Sequence, residues 1–238
     1  MANQLMRATD LIDAAQCGHT EKLQNCLKRG VNINFKDRDD NTALHIAVNH
    51  GNTELVRLLI DGGIDVNIPE EDGQTALHNA ARQRNTEIPM LLIDAGIDLN
   101  VQNKYDNTAL HIAGEHGYTE SVKLLIDGGI DLNIKNQDGK TALHFAARER
   151  NTEITMLLID AGINLNAQNK SGDTALHIAV QNTHITIVKL LIDGGIDLNI
   201  KTWNGQTALH EAARQRNTEI TMLLIDAGID LNAQNKIC

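Results

Sequence analysis

Histidine is the residue type that most strongly suggests chemistry in this chain, because ten histidines occur among its 238 residues. A neutral imidazole can ligate a metal or act as a general base near neutral pH. Six of the histidines follow the tripeptide Thr-Ala-Leu and recur every 33 residues, at His45, His78, His111, His144, His177 and His210. A histidine that recurs with the architecture itself is typical of a structural role. We therefore predict that these six side chains hydrogen-bond the backbone of a turn.

The remaining candidates for catalysis or metal binding have unsuitable spacing. His45 and His50 are five residues apart, whereas two ligands on one helix face lie three or four residues apart. Cys17, Cys26 and Cys238 are too few and too scattered for a zinc site or a disulfide framework. The chain contains no nucleophile elbow and no phosphate-binding loop. These observations predict a protein that is not an enzyme and uses no metal or cofactor.

Composition narrows the class of partner and the cellular setting. The formal net charge is −10, from 31 acidic and 21 basic residues. Nucleic acid and anionic membranes need a concentrated basic surface, so this balance predicts neither as a main partner. The first ten residues lack the apolar core of a signal peptide, and no long apolar run follows. We expect a soluble protein of the cytoplasm, or one delivered to a host cytosol.

The fixed period predicts a stacked array of repeats. The sequence Thr-Ala-Leu-His begins at Thr42 and returns five times, and a degenerate copy precedes it at Thr9. The copies also alternate in two forms, so the unit of duplication spans 66 residues. We predict one domain over residues 1–238, with seven repeats at approximately 5–37, 38–70, 71–103, 104–136, 137–169, 170–202 and 203–235.

One repeat, residues 38–70, shows how each copy should fold. Thr42 can cap a short first helix that Gly51 ends, because glycine adopts positive φ without steric penalty. A second helix should start near Thr53, and residues 64–68 should run extended into a hairpin-like finger. Two such short helices cannot bury their leucines and isoleucines alone, so neighbouring repeats must cover them.

The residues of the third repeat carry a resemblance to a known family. Asp-Gly-Gln-Thr-Ala-Leu-His at 72–78, Ala80-Ala81 and the run from Leu91 to Asn100 resemble the ankyrin repeat. The resemblance covers about residues 5 to 235, although alanine stands where the family usually has proline after the threonine. It implies an all-α solenoid of helix-turn-helix repeats with short β-hairpin fingers. It also implies a scaffold that binds a protein or peptide through its concave face and finger tips.

Several repeats depart from the pattern at the junction between their two helices. Positive φ costs a residue other than glycine roughly 1–2 kcal/mol. Either the three arginines at this position bear that cost, or the asparagine that follows each of them adopts the special conformation, which is our expectation. Thr183 is less suitable still, because it is β-branched. Pro89 fits its second helix only if that helix begins at about Thr86. The positions where another residue replaces the glycine are Arg84, Arg150, Thr183 and Arg216.

Three of the five aromatic residues fall where ankyrin repeats display variable side chains. Tyr105 and Trp203 lie at turn tips, and Phe145 lies beside the motif histidine. An exposed aromatic ring buries a large area at small entropic cost, so we predict that these three anchor a partner. The alternative is that each is a singly exposed aromatic without a role.

Three arginines should project from first helices two repeats apart. Arg82, Arg148 and Arg214 would form a basic ladder that holds an acidic peptide through charge-assisted hydrogen bonds. The alternative is that the arginines pair with Glu115 and Glu149, which would contribute little at a surface.

The family resemblance implies one modification. The sequence around several finger asparagines looks like the motif that asparaginyl hydroxylases modify in ankyrin proteins. The alternative is that the asparagine only stabilises the finger. The candidate positions are Asn67, Asn100, Asn133, Asn199 and Asn232.

The last repeat lacks the polar outer face that ends a repeat array. We therefore expect residues 203–238 to fray or to associate end to end with a second copy, with Cys238 able to trap the pair under oxidation. This expectation supports an alternative function as a self-associating structural module. A further alternative is the ankyrin domain of a longer protein, for example a secreted effector of an intracellular bacterium.

Overall fold

The protein is all-helical over the residues that a computed structural model describes, 8–236, and no β-strand occurs among them. None of the helices there is long and apolar enough to cross a membrane. The fourteen helices are α1 (Ala8–Cys17), α2 (Thr20–Lys28), α3 (Ala43–Asn49), α4 (Thr53–Asp61), α5 (Ala76–Ala80), α6 (Glu87–Asp94), α7 (Ala109–His116), α8 (Thr119–Asp127), α9 (Ala142–Arg148), α10 (Thr152–Asp160), α11 (Ala175–Gln181), α12 (Ile185–Asp193), α13 (Ala208–Arg214) and α14 (Thr218–Asp226).

The helices belong to two compact units. Unit 1 comprises Met1–Ala109 and Asp127–Ile130, and unit 2 comprises Leu110–Ile126 and Asp131–Cys238. Unit 1 holds α1 to α6, and unit 2 holds α7 to α14 apart from two terminal residues of α7 and α8. The predicted all-α class of helix-turn-helix repeats is confirmed, whereas the single domain over residues 1–238 stays a prediction.

Stacking of neighbouring helices buries the apolar side chains in both units. In unit 1, α3 packs against α1, α4 and α5, and Leu44 and Leu59 are fully buried. In unit 2, α11 packs in the same way against α9, α12 and α13. The first helices α3 and α11 thus each contact their own second helix and the first helices on both sides within their unit, as the short length of the helices requires.

The fingers are tight turns, each closed by two backbone hydrogen bonds, such as that from the N–H of Gly73 to the carbonyl of Glu70 at 2.9 Å. Within one finger the N–H of Glu70 donates to the carbonyl of Gln74 at 2.9 Å, and equivalent bonds close the other fingers. A further bond joins neighbouring tips, such as that from the N–H of Lys104 to the carbonyl of Asp72 at 2.9 Å. These bonds close single turns and form no strand ladder, so the expected β-hairpins are hairpin-like turns among residues 8–236.

The expectation about the junction between the two helices is wrong. Arg150, Thr183 and Arg216 themselves adopt positive φ, at 57°, 57° and 54°. The asparagine that follows each arginine has another task, because it caps the second helix. Asn151 keeps φ at −86° and accepts a hydrogen bond from the N–H of Ile154 at 3.0 Å. A residue with that geometry cannot also be left-handed, so the preceding arginine bears the strain.

In the third repeat the junction between the two helices has a different conformation. Its first helix, α5, has five residues and ends at Ala80, so Arg84 does not adopt positive φ. The second helix starts at Glu87 after Thr86, as the position of Pro89 predicted. Proline there lies within the first turn, where a missing N–H removes no helical bond.

Candidate protein-binding surface

The motif histidines hold the turns together. In the motif of Thr42 and His45, the imidazole Nδ1 accepts from the backbone N–H of the threonine at 3.2 Å, and the same bond forms in the motifs that begin at Thr75, Thr141, Thr174 and Thr207. In unit 1, Nε2 of His78 lies 2.9 Å from the carbonyl of Asn107 in the next finger. In unit 2, Nε2 of His144 lies 3.2 Å from the carbonyl of Asp173. The predicted role in bonding turn backbone is confirmed.

These contacts select one neutral tautomer. Nδ1 accepts, so the proton sits on Nε2 and faces the carbonyl of the next turn. Burial lowers the pKa of His45 and His144 to about 4 and also lowers that of His111 and His177. In His45 and His177 the Nε2 atom faces the equivalent carbonyls without reaching hydrogen-bond geometry. Both nitrogens are thus directed to the framework, which leaves neither available to a ligand.

The structure separates the three predicted aromatic anchors. Tyr105 and Trp203 lie on finger tips with 46% and 58% of their surface exposed. Phe145 is only 5% exposed, so the expectation that its ring is displayed is wrong. The ring packs edge-on against the imidazole of His111, with a centroid separation of 6.0 Å, and the cationic group of Arg148 lies above it at 5.1 Å. The first-helix position next to the motif histidine thus packs against the first helix of the preceding repeat instead of facing solvent.

The two exposed rings have different supports. Trp203 donates its indole N–H to the carbonyl of Lys170 at 2.8 Å, which fixes the ring. Tyr105 lies beside Lys104, whose ammonium group is 5.1 Å from the ring centroid and forms an ion pair with Asp72. Both rings therefore project from tips that hydrogen bonds hold in place.

In unit 2 the predicted basic ladder is largely neutralised. Arg148 pairs with Glu115 at 2.9 Å and with Glu149 at 2.7 Å, which confirms the alternative of local ion pairs for this residue. Arg214 donates its Nε–H to Glu211 at 3.0 Å, and hydrogen bonds from Arg214 lower the pKa of this buried carboxyl. A paired guanidinium offers less charge to a partner than a solvated one.

In unit 1, Arg82 is exposed and has weaker local contacts. Its Nη1 lies 3.5 Å from Oδ1 of Asn79, and its charge acts on the carboxyl of Glu70. Burial raises the pKa of Glu70, and hydrogen bonds from Gln74 and Asn79 with the charge of Arg82 offset part of this rise. The role of the three arginines in holding an acidic peptide stays a prediction.

The finger asparagines join neighbouring repeats. Oδ1 of Asn67 accepts from the backbone N–H of Asp98 at 2.7 Å in unit 1. In unit 2, Oδ1 of Asn199 accepts from the N–H of Asp230 at 2.8 Å. These asparagines therefore stabilise the fingers, and hydroxylation stays a prediction. The same bond forms at Asn34, Asn133 and Asn166.

Lysines on the fingers of unit 2 were missed by the sequence interpretation. The ammonium group of Lys135 donates to the carbonyl of Gln168 at 2.9 Å, and that of Lys201 donates to Gln234 at 3.2 Å. Their 66-residue spacing matches the unit of duplication and could have identified them.

The last repeat of unit 2 exposes apolar side chains that earlier repeats cover. Ile225 is 43% exposed and Leu231 is 61% exposed. Their counterparts Ile159 and Leu165 lie against Gly194 of the following repeat. Cys238, which was expected to trap a dimer, lies outside the described residues. Fraying and end-to-end association stay predictions.

Comparisons with known proteins agree with this geometry. A family model described as "Ankyrin repeats (3 copies)" matches residues 11–103, 89–169 and 157–235. Among solved structures, the chain resembles the ankyrin repeat domain of Bcl-3, which is described as a unique member of the IkappaB protein family. The TM-score is 0.84 and the sequence identity 28%, over 91% of this chain and 97% of that chain. No curated protein matches the sequence.

Proposed function

This chain belongs to the ankyrin repeat family, and we propose that it is a non-enzymatic scaffold that binds a protein or peptide through its concave face and finger tips. Ankyrin repeats are generally protein-interaction modules. The observation that carries the proposal is the exposure of Trp203 and Tyr105 on tips that hydrogen bonds hold in place. A fixed aromatic ring loses little entropy on binding and buries a large area.

The tips are ordered before any partner arrives. In unit 2 the N–H of Trp203 donates to the carbonyl of Ser171 at 3.2 Å, which joins two neighbouring fingers. In unit 1, Oδ1 of Asn103 accepts from the N–H of Tyr105 at 2.9 Å. Such preorganisation reduces the entropic cost of binding, which favours a recognition surface.

Alanine substitution tests the proposal. Trp203→Ala and Tyr105→Ala should each weaken binding of a native partner by about 1–4 kcal/mol without changing the helical circular dichroism. The partner is found by affinity purification with mass spectrometry from the native cell. Met156→Ala is the matched control, because this apolar side chain is similarly exposed but lies on a second helix. Partner capture that survives both aromatic substitutions would exclude the finger tips.

Self-association through the last repeat is a second candidate function. The exposure of Ile225 and Leu231 supports it, because apolar surface of this kind favours a contact between copies. Light scattering over a concentration series should detect the association, and Ile225→Lys with Leu231→Lys should abolish it. Met222→Lys is the control, because the equivalent methionines Met90 and Met156 of internal repeats are exposed as well. Cys238→Ser removes disulfide artefacts. A protein that stays monomeric at every concentration would exclude this candidate.

Hydroxylation of the finger asparagines is a subsidiary proposal. All five candidate side chains are exposed, which would give a hydroxylase access to them. Peptide mass spectrometry of protein from an animal cytosol should show one added oxygen atom on the modified peptides. The proposal presupposes a reducing intracellular setting, either in the producing cell or in a host cell.

A further inference from the structure

We propose that the fingers of unit 2 bind an acidic segment of a partner protein, rich in glutamate or aspartate and carrying an apolar residue. The proposed surface, called the lysine strip below, comprises Lys135, Lys170, Lys201 and Lys236 together with Trp203. All five side chains are exposed. The inference rests on the proposed scaffold function and assigns a chemical class to the partner.

The fingers of unit 2 carry an excess of positive charge in an acidic protein. Residues 133–141, 166–174, 199–207 and 232–236 contain five lysines and two aspartates. Both aspartates have local partners. Asp138 lies 3.3 Å from the ammonium group of Lys140, and the side chain of Asp173 accepts from the Asn169 amide at 3.4 Å.

Main-chain carbonyls position part of the strip without neutralising it. The ammonium group of Lys201 donates to the carbonyl of Gln234 at 3.2 Å. A carbonyl group has no net charge, and an ammonium group has two further donors for a carboxylate. Lys170 and Lys236 form no ion pair with any of residues 8–236.

Hydrogen bonds between tips fix the spacing of the strip. The N–H of Lys170 donates to the carbonyl of Asp138 at 2.8 Å, and that of Lys236 donates to Asn204 at 3.0 Å. A Cβ atom added at Gly172 would lie only 2.7 Å from the backbone nitrogen of Trp203, so the two tips touch. The lysines therefore lie on finger tips that hydrogen bonds join to one another, and not on separate loops.

Trp203 gives the strip an apolar anchor. Its N–H is already satisfied by the carbonyl of Lys170, so covering the exposed ring leaves no polar atom unpaired. Lys201 precedes it by two residues on the same finger. Backbone hydrogen bonds join the tip of Trp203 to the two neighbouring tips, which carry Lys170 and Lys236. A fixed aromatic ring between two lysine-bearing tips fits a segment in which an apolar residue is flanked by carboxylates.

The charge of the whole chain favours an acidic peptide over nucleic acid or an anionic membrane. The net charge of −10 repels an extended polyanion or a charged surface beyond the strip. A short acidic segment meets only the strip, within a Debye length of about 8–10 Å.

Intrinsic fluorescence provides a direct test, because Trp203 is the only tryptophan in the chain. The probe is a synthetic peptide of Glu-Glu-Leu repeats, titrated into the full chain while the emission of Trp203 is followed. We expect a saturable change that weakens as salt is added. A peptide with glutamine in place of glutamate should bind at least about tenfold more weakly.

A pair of double variants locates the site. Lys170→Gln with Lys201→Gln should weaken binding of a labelled probe by about tenfold or more. The matched control, Lys123→Gln with Lys189→Gln, removes the same charge from exposed positions of α8 and α12 and should leave the affinity unchanged. Circular dichroism checks that all variants remain folded.

Several results would overturn the inference. These are equal weakening by the two double variants, unchanged binding of the glutamine peptide, and tighter binding of oligothymidylate or phosphatidylserine vesicles than of the acidic probe. Capture of native partners is measured in parallel. If the wild type captures a protein but does not bind the probe, only this inference fails. If the wild type captures no protein, the proposed scaffold function fails, and the inference that rests on it fails too.

Discussion

The fingers of the two units share one backbone design and differ in charge. In unit 1, residues 34–42, 67–75 and 100–108 contain seven acidic and three basic side chains. In unit 2 the fingers carry five lysines against two aspartates. The bonds that hold the fingers are the same in both, including the contact from the finger asparagine to the next repeat. The framework therefore leaves the tip positions free to vary, and under the proposal above these positions set the chemistry of the partner.

The difference extends to the two exposed aromatic rings. Beside Tyr105, the ammonium group of Lys104 is paired with Asp72. Beside Trp203, Lys170 has no such acidic partner among the described residues, and its carbonyl accepts the indole N–H. We expect the two tips to select different side chains of a partner, since a paired lysine offers less charge than an unpaired one.

The largest expected effect is a loss of stability in acid, which the buried motif histidines of both units should cause. Burial lowers the pKa of His45 in unit 1 and of His144 in unit 2 to about 4, from an ordinary value of 6.5. As pH falls, the unfolded chain binds protons before the folded chain does, so stability is complete above pH 6.5 and is lost towards pH 4. At pH 5 the loss should be roughly 2 kcal/mol for each of these histidines.

Thermal unfolding as a function of pH measures this loss, and histidine NMR titration assigns it to residues. The NMR signals of both imidazoles should show that the rings remain neutral down to pH 6. Two results would contradict this prediction: titration of either imidazole near pH 6.5, or a melting temperature that does not change between pH 7 and pH 5. Either would show that the buried motif histidines do not cause the loss of stability in acid.

A smaller effect should distinguish how closely the tips pack in the two units. Gly172→Ala combines the cost of positive φ with a clash against Trp203, and should destabilise the protein by about 3 kcal/mol. Gly162→Ala is the matched control, because its φ is also +81° and nothing lies within 4 Å of the added atom. In unit 1, Gly73→Ala meets its nearest neighbour at 3.5 Å, an ordinary contact.

Denaturant unfolding of the three variants gives the comparison. The two controls should lose only the roughly 1–2 kcal/mol that positive φ costs an alanine. Equal losses in all three would show that the tips of unit 2 pack no more closely than those of unit 1.

The smallest expected effect concerns the arginines of the first helices. Arg82→Gln in unit 1 should slow association with an acidic partner more than Arg148→Gln in unit 2, because two carboxylates already pair with Arg148. Arg148→Gln should cost less than about 1 kcal/mol of stability. Stopped-flow association at low and high salt measures the difference. An association rate that is insensitive to salt and to both changes would exclude a role for these arginines.

Features that depend on residues close together in the sequence were predictable, whereas some contacts between repeats were not. The capping of α3 by Thr42 follows from the position of this threonine before the apolar residues of the helix, and the start of α6 follows from Pro89. The burial of Phe145 was not predictable in this way, because it depends on contact with His111 in the first helix of the preceding repeat.

Competition between local roles explains another miss. The glycine-like conformation at Arg150 depends on the need for Asn151 as a helix cap, and a pattern alone does not rank these two demands. The lysine strip was not predicted, although Lys135 and Lys201 recur with the duplication, because main-chain carbonyls of the next repeat position these side chains.

The contacts between fingers also bear on how such an array changes in length. Lys135 binds a main-chain carbonyl of the next repeat, and Asn199 binds a main-chain amide. Every repeat presents these groups whatever its side chains are, so each donor or acceptor finds the same partner in any neighbour. A two-repeat unit can therefore be inserted or removed in register without a compensating substitution. Copy number becomes a variable that recombination can alter, while each new copy is free to diverge at its tip.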